Sequence, residues 1–197
     1  MKLFNNGISL TPNELQCIQH IESDAELWLT IVIAEKAQRR RDALIEEWLP
    51  TLYSDVSVTK LPVNSDDLAE LILARSDYRT RAQHDKAADP VINTSTTQKN
   101  KYDAVSRSGT TVKLFLSGIT IPDLSASCIL AYVQNLEEWV IGALMGQVNR
   151  GRKKMIAKYI PIILADASVT TMPATEDGLI TMIVARPDYS RIEVSID

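Results

Sequence analysis

The sequence predicts a mainly α-helical protein made of two tandem homologous copies of a small helical unit. Three observations predict this class. Residues 2–80 align with residues 113–191 without a gap, apolar residues recur at three- and four-residue steps in each copy, and a polar stretch separates the copies. We expect each unit to hold a short helix, a long helix bent at a proline and a short last helix, preceded by an extended arm or hairpin.

The two copies share residues along their whole length, at a constant offset of 111. Lys2-Leu3-Phe4 returns as Lys113-Leu114-Phe115 at the start, and Ala74-Arg75-Ser76-Asp77-Tyr78 returns as Ala185-Arg186-Pro187-Asp188-Tyr189 at the end. About 25 of the 79 aligned pairs are identical, against roughly one in sixteen by chance. We therefore interpret the chain as a tandem duplication.

Each copy begins with apolar residues clustered around a glycine, which is typical of a short extended arm or hairpin. Leu3-Phe4 and Ile8-Ser9-Leu10 form this pattern in the first copy, and residues 112–121 repeat it. Thr11-Pro12-Asn13-Glu14 then predicts the start of a short helix, and Asp24 is a suitable N-cap for the next one.

The next helix is the longest of each unit. Its apolar residues recur at helical spacing over residues 28–52 and again over residues 139–163. We expect Pro50 and Pro161 to bend or restart the helix, because proline removes one of its hydrogen bonds and clashes with the preceding turn.

The last helix follows a proline-containing turn and is expected to be capped near Ser65 or Asp66. It ends at Arg75-x-Asp77-Tyr78, which returns as Arg186-x-Asp188-Tyr189. We interpret this motif as a helix stop with a packing role and not as an active site. The arginine suits the negative end of a helix dipole, the aspartate can accept backbone N–H groups, and the tyrosine can bury its ring.

The stretch between the copies is rich in Ser, Thr, Asn, Asp and Lys, which predicts a linker or a long surface excursion. We therefore place the first repeat at 1–86, a polar linker at 87–111 and the second repeat at 112–197. Because each half is small and carries a wide apolar surface, we expect the two halves to pack on one another as a pseudo-dimer.

The composition is that of an ordinary soluble globular protein, with 45% hydrophobic and 23% charged residues and a formal net charge of -4. The sequence lacks a membrane span and a secretory signal, so we expect synthesis in the cytosol and no membrane contact. Two cysteines and two histidines are too few and too scattered for a zinc site, and we expect Cys17 and Cys128 to be buried, reduced thiols. Because catalytic motifs are also missing, we predict neither a cofactor nor an enzymatic activity.

A basic cluster recurs in the middle of each long helix. Arg41 shares a stripe with apolar residues, so we expect it to point inward and to need a carboxylate partner. The candidate structural ion pairs join Arg41 to Asp55 or Asp77, and Arg152 to Asp166 or Asp188. The alternative is a patch that grips nucleic-acid phosphates, for which the candidate residues are Arg39, Arg40, Arg150, Lys153 and Lys154. The acidic balance of the whole chain favours the ion pairs.

A set of short motifs in the first copy resembles a type of short protein encoded by tailed bacteriophages: Trp28, Arg39-x-Arg41, Glu47-Trp48-x-Pro50-x-Leu52, the Pro62 turn, and Ala-Arg-Ser-Asp-Tyr at 74–78 with Arg81 after it. The second copy has the same outline, with Trp139, Arg150-x-Arg152, Tyr159-x-Pro161 and Ala-Arg-Pro-Asp-Tyr. The resemblance implies a viral context with a structural or morphogenetic role. It carries over no functional residue, and this chain departs from the single-unit form by being doubled.

We therefore expect a non-enzymatic virion component at the neck, tail or capsid surface, present in the host cytoplasm during assembly and then in the particle. Its partners would be other virion proteins, or further copies of itself in a homo-oligomer, held by multivalent contacts. Two alternatives stay open. One is a nucleic-acid-binding or regulatory protein that uses both arginine clusters, and the other is an inhibitor of a host protein.

Overall fold

The computed structural model describes residues 1–88 and 110–191, and this part of the chain is mainly helical, as predicted. It contains seven α-helices and four short strands. In chain order these are β1 (Lys2–Leu3), β2 (Ile8–Leu10), α1 (Pro12–Gln19), α2 (Ala25–Ser54), α3 (Ser65–Leu73), α4 (Arg81–Ala88), β3 (Val112–Leu114), β4 (Ile119–Thr120), α5 (Asp123–Leu130), α6 (Leu136–Ala165) and α7 (Glu176–Val184).

Polar side chains start the helices where the sequence predicts a helix. Thr11 and Glu14 form a reciprocal capping box at the start of α1, where each side chain accepts a hydrogen bond from the other residue's backbone N–H. The Asp24 carboxylate accepts hydrogen bonds from two backbone N–H groups in the first turn of α2. The cap of α3 is Asn64 and not Ser65 or Asp66, because Asn64 is the last residue with an extended backbone and its side chain accepts from the Asp66 N–H.

The two long helices each run for 30 residues and continue past their prolines, so Pro50 and Pro161 do not restart them, and the alternative, a bend at each proline, stays a prediction. Proline removes only its own intrahelical donor, and each proline lies in the last two turns. The remaining backbone hydrogen bonds stabilise the helix beyond the proline. A buried residue there, Leu52 in α2 or Ile163 in α6, adds packing that stabilises the last turn.

Helix α4 is not anticipated by the sequence analysis. It begins at a capping box in which the Gln83 side chain accepts from the Thr80 N–H at 2.8 Å and the Thr80 hydroxyl accepts from the Gln83 N–H at 3.4 Å. The predicted linker begins at residue 87, but Ala87 and Ala88 are the last two residues of α4. Residues 89–109 of that linker lie outside the described residues.

The extended arms form strands as expected, but they do not form hairpins. Strand β1 pairs with β4 in antiparallel register, and β2 pairs with β3. The register sets Ile8 opposite Leu114 and Leu10 opposite Val112, so each arm finds matching apolar residues in the equivalent arm of the other copy. Gly7 has a φ of +75° and lies so close to the Leu114 carbonyl oxygen that a Cβ there would be 2.7 Å from it.

The chain forms two compact units whose boundaries differ from those of the sequence repeats. Among the described residues, unit 1 contains 1–5, 30–88 and 118–140. Unit 2 contains 6–29, 110–117 and 141–191. Each unit therefore takes its short helix from one half of the chain and its last helix from the other, while the repeat boundaries 1–86 and 112–197 stay a prediction from sequence.

The core of unit 1 is completed by a helix from the second half of the chain. Leu44 and Leu52 of α2 pack with Ala69 and Ile72 of α3, and Cys128 of α5 joins this cluster. The Cys128 thiol is buried and unbonded, as predicted, and burial raises its pKa.

Unit 2 is built in the corresponding way, with α1 from the first half lying against α7 and α6. Asn13 of α1 donates from Nδ2 to the Asp177 carbonyl oxygen of α7 at 3.1 Å. Gly151 lies so close to α1 that a Cβ there would be 1.8 Å from the Cys17 carbonyl oxygen. The Cys17 thiol is buried and forms no disulfide, as predicted, and burial raises its pKa. The crossing of α1 and α6 therefore requires a residue without a side chain at 151.

We expect Gly151→Ala to lower the free energy of unfolding by about 3 kcal/mol or more, because the added methyl group would force α1 and α6 apart. Gly146→Ala is the matched control on the same helix. A Cβ at Gly146 would meet nothing within 4 Å, so alanine should raise stability by about 0.5–1 kcal/mol through its better helix propensity. Urea unfolding measures both values, and equal effects of the two substitutions would contradict the close crossing.

Candidate functional site

An arginine just after α3 binds two aspartates in unit 1. Arg75 donates from Nη1 to Asp55 Oδ2 at 2.7 Å, and contacts Asp77 with two bonds, from Nε at 2.8 Å and from Nη2 at 2.9 Å. The Arg75 side chain is only 17% exposed and its guanidinium lies 5.8 Å from the centre of the Trp48 ring. The cluster ties the turn after α2 to the segment that leaves α3.

Unit 2 contains the equivalent cluster after α7. Arg186 donates from Nη1 to Asp166 Oδ2 at 3.0 Å, and contacts Asp188 from Nε at 2.8 Å and from Nη2 at 3.1 Å. In both units the first aspartate also accepts two hydrogen bonds from a serine two residues later, Ser57 or Ser168.

The aspartates of these clusters have pKa values below their ordinary range. The Ser57 hydroxyl and the Arg75 guanidinium lower the pKa of Asp55 to about 2, and Arg75 lowers the pKa of Asp77. The pKa values of Asp166 and Asp188 fall for the same reasons. Because these carboxylates stay ionised near neutral pH, the clusters are suited to holding two segments together and unsuited to transferring protons.

The arginines in the middle of the long helices pair with different aspartates from those predicted. Arg41 Nη1 donates to Asp66 Oδ1, and Arg152 Nη2 donates to Asp177 Oδ1 at 3.1 Å. The prediction was wrong because Arg75 and Arg186 already bind the candidate partners Asp55, Asp77, Asp166 and Asp188. Asp66 and Asp177 are identical between the copies and lie in the first turns of α3 and α7, which is the signal that could have found them.

Arg39 and Arg40, the candidate phosphate-binding residues of the first copy, contact other side chains of unit 1. Arg39 is 69% exposed and forms an ion pair with Glu35 one turn earlier, at 3.6 Å. The Arg40 guanidinium lies 4.6 Å from the centre of the Tyr132 ring. The Tyr132 hydroxyl donates to Glu47 Oε2 at 3.2 Å, and burial together with Glu47 raises the pKa of Tyr132 to about 12.

The candidates of the second copy form an exposed basic face on α6, which we define as Arg150, Lys153, Lys154 and Lys158. Their successive spacings of three, one and four residues place them on one side of the helix. Within residues 1–88 and 110–191, Arg150, Lys153 and Lys154 have no ion-pair partner, whereas Lys158 donates to Ser190 Oγ at 3.1 Å. The equivalent positions of α2 hold Arg39, Asp42, Ala43 and Glu47, so the basic face belongs to unit 2 alone.

A buried histidine lies next to this face in unit 2. His20 is fully buried, stacks on the Tyr189 ring at 5.8 Å and meets the Tyr159 ring edge at 6.4 Å. Its Nε2 has no hydrogen-bond partner among the described residues. Burial lowers the pKa of His20, and the positive charges of Lys158 and Lys154 lower it further.

No family model, no curated protein and no solved structure matches this chain. Its function is therefore argued from its residues and their geometry. In the described part of the chain, no three His, Cys, Asp or Glu side chains come together in a group that could hold a metal ion. None of the helices there, including the two of 30 residues, has the apolar stretch needed to cross a bilayer.

Because folding lowers the pKa of His20 below its ordinary value of 6.5, the unfolded chain binds this proton more readily than the folded chain. The free energy of unfolding should be unaffected by His20 above pH 7 and should fall as the pH drops below about 6.5, by up to about 1.4 kcal/mol per pH unit. His20→Gln should remove this dependence between pH 7 and pH 5.5. The exposed His84 supplies the control, since His84→Gln should keep the slope. Equal slopes for the wild-type chain and His20→Gln would refute the prediction.

Proposed function

We propose that the chain arose by tandem duplication and is a non-enzymatic component of a tailed-phage virion that binds its partners through two equivalent surfaces. The partners are other virion proteins or further copies of this chain. The protein would be present in the host cytoplasm during assembly and afterwards in the particle.

One observation carries this proposal: each unit exposes a large apolar side chain at the same position of its long helix. Tyr53 is the next-to-last residue of α2 and is 73% exposed, and Leu164 is the next-to-last residue of α6 and is 70% exposed. A second apolar side chain lies nearby in sequence in each unit, Val56 at 97% and Ile162 at 38% exposure. Exposed apolar patches are typical of protein–protein contacts.

Two equivalent contact sites on one chain support a multivalent role. When one site is bound, the other is held near a second copy of the partner surface, so the pair binds far more tightly than either site alone. Symmetric and pseudo-symmetric assemblies present repeated surfaces of this kind. The Arg75 and Arg186 clusters support the non-enzymatic part of the proposal, because their carboxylates are ionised and fully bonded to arginine and serine.

The test is the presence of the protein in purified particles of the virus that encodes it, measured by quantitative mass spectrometry. We expect a fixed copy number per particle. Tyr53→Ser or Leu164→Ser alone should lower that number a few-fold, and the double variant should lower it by more than tenfold, because it loses both contacts. Val63→Ser is the control, since Val63 is 99% exposed and lies nine residues beyond the end of α2 in the sequence. Absence from the particles, or normal incorporation of the double variant, would refute the proposal.

A second candidate function is supported by the basic face. Four cations along one side of α6 could contact the phosphates of a nucleic acid, and none of them has a carboxylate partner in the described residues. The test is binding of duplex DNA by the wild-type protein and by the double variant Lys153→Asp with Lys154→Ala, which introduces the residues found at the equivalent positions of unit 1. Binding that weakens steeply with salt and is lost in the double variant would select this candidate over the first.

A further inference from the structure

Unit 1 contains a cavity of about 480 Å³ between α2, β4 and α5. Its walls are mostly apolar and include Ile33, Ile119, Ile121 and Leu124, with the Cys128 side chain beside them. This volume lies within the range in which proteins bind small organic molecules.

The equivalent positions of unit 2 are packed with larger side chains. Ala34 and Ala37 line the cavity on α2, and their counterparts on α6 are Met145 and Val148, which are 8% and 0% exposed. The same fold can therefore fill this space, because protein interiors pack closely when side chains of the right size are present. Two alanines leave the space in unit 1.

A third difference makes the space in unit 1 more apolar. Leu124 lines the cavity, whereas its counterpart in unit 2 is Asn13. In unit 2 the Asn13 amide donates to the Asp177 carbonyl oxygen and to Thr181 Oγ1, each at 3.1 Å, so it ties α1 to α7. Unit 1 has Leu124 at this position, which cannot form the polar link and adds an apolar side chain to the cavity wall. Ala34 and Ala37 enlarge the space, and Leu124 makes its wall more apolar.

The charged part of the cavity wall is a group in which Arg41 donates hydrogen bonds to Asp66 and to Gln38. The other polar residues of the wall are Thr30, Thr120 and Ser125. The positive charge of Arg41 is balanced by Asp66, so the charged group does not call for a charged ligand. The Nε atom of Arg41 is buried without a hydrogen-bond partner among the described residues, as is the Nε atom of Arg152 in unit 2, so this feature is common to both units.

We propose that this cavity binds a small, uncharged, mainly aliphatic molecule that carries one polar group. The apolar walls hold the aliphatic body, and the polar group lies against Gln38, Arg41 and Asp66. The site is separate from the exposed apolar residues at the helix ends, so it does not depend on the role in assembly.

The probe is 1-octanol, titrated into the full-length protein and followed by methyl NMR. We expect saturable shifts at the methyl groups of Ile33, Ile119 and Ile121, and none at Ile8 or Ile180 of unit 2. Ala34→Met with Ala37→Val changes two residues towards those of unit 2, and it should weaken binding at least tenfold. Ala157→Met is the control, because it adds the same side chain at an exposed position of α6 and should leave the affinity unchanged.

Native-strength binding by the filled variant would overturn the proposal. Shifts that do not saturate, or that spread equally over the isoleucines of both units, would also overturn it, because they would indicate general solvent effects. If the filled variant does not fold, the titration of the wild-type protein still decides, since only saturable shifts confined to the three cavity isoleucines support the site.

Discussion

The structure depends on one constraint: neither half of the chain contains all the helices of a core. In unit 1, Leu44, Leu52 and Ile72 come from the first half, and Cys128 is supplied by α5 of the second half. In unit 2, α6 and α7 come from the second half and α1 from the first, with Gly151 allowing α6 to approach the backbone of Cys17. A small helical unit buries more apolar area when a helix from the other half of the chain packs against it. The two short strand pairs, β1 with β4 and β2 with β3, also join one half of the chain to the other.

Arginines and aspartates that are identical between the aligned stretches 2–80 and 113–191 form corresponding ion pairs in the two units. The Arg75 and Arg186 clusters fix the segment that leaves each last helix, and Arg41 and Arg152 each bind an aspartate in the first turn of that helix. The side chains of Arg41 and Arg152 are about four-fifths buried, so removing the aspartate would leave a poorly solvated positive charge in either unit.

The residues that differ give each unit its own properties, and some of them change together. Arg40, Tyr132 and Glu47 form a contact series in unit 1, and their counterparts in unit 2 are Gly151, Ile21 and Lys158. Removing the arginine side chain permits the close approach to α1, and replacing the glutamate by lysine extends the basic face. The cavity of unit 1 likewise lies where the two units differ, at Ala34 and Ala37. Chemistry specific to this protein is therefore expected where the copies differ.

The sequence predicts the helices well because caps and apolar spacing are local signals. Thr11 with Glu14 and Asp24 start helices where expected, and the Thr80 and Gln83 capping box would have revealed α4. Partner choice is harder, because an apolar face shows that a helix packs and not which of two equivalent helices it packs against. The prediction for Arg41 is wrong because Arg75 binds Asp55 and Asp77, and the short Arg75-x-Asp77 spacing already favoured that local pair.

The most direct test of the shared cores is to cut the chain between its halves. A protease site inserted into the polar linker beyond α4 allows cleavage of the folded protein, followed by light scattering behind a sizing column. We predict that the two fragments stay together in native buffer at the mass of the uncut protein and part only in denaturant. Fragments that separate in native buffer, each with its own cooperative unfolding transition, would contradict the shared cores.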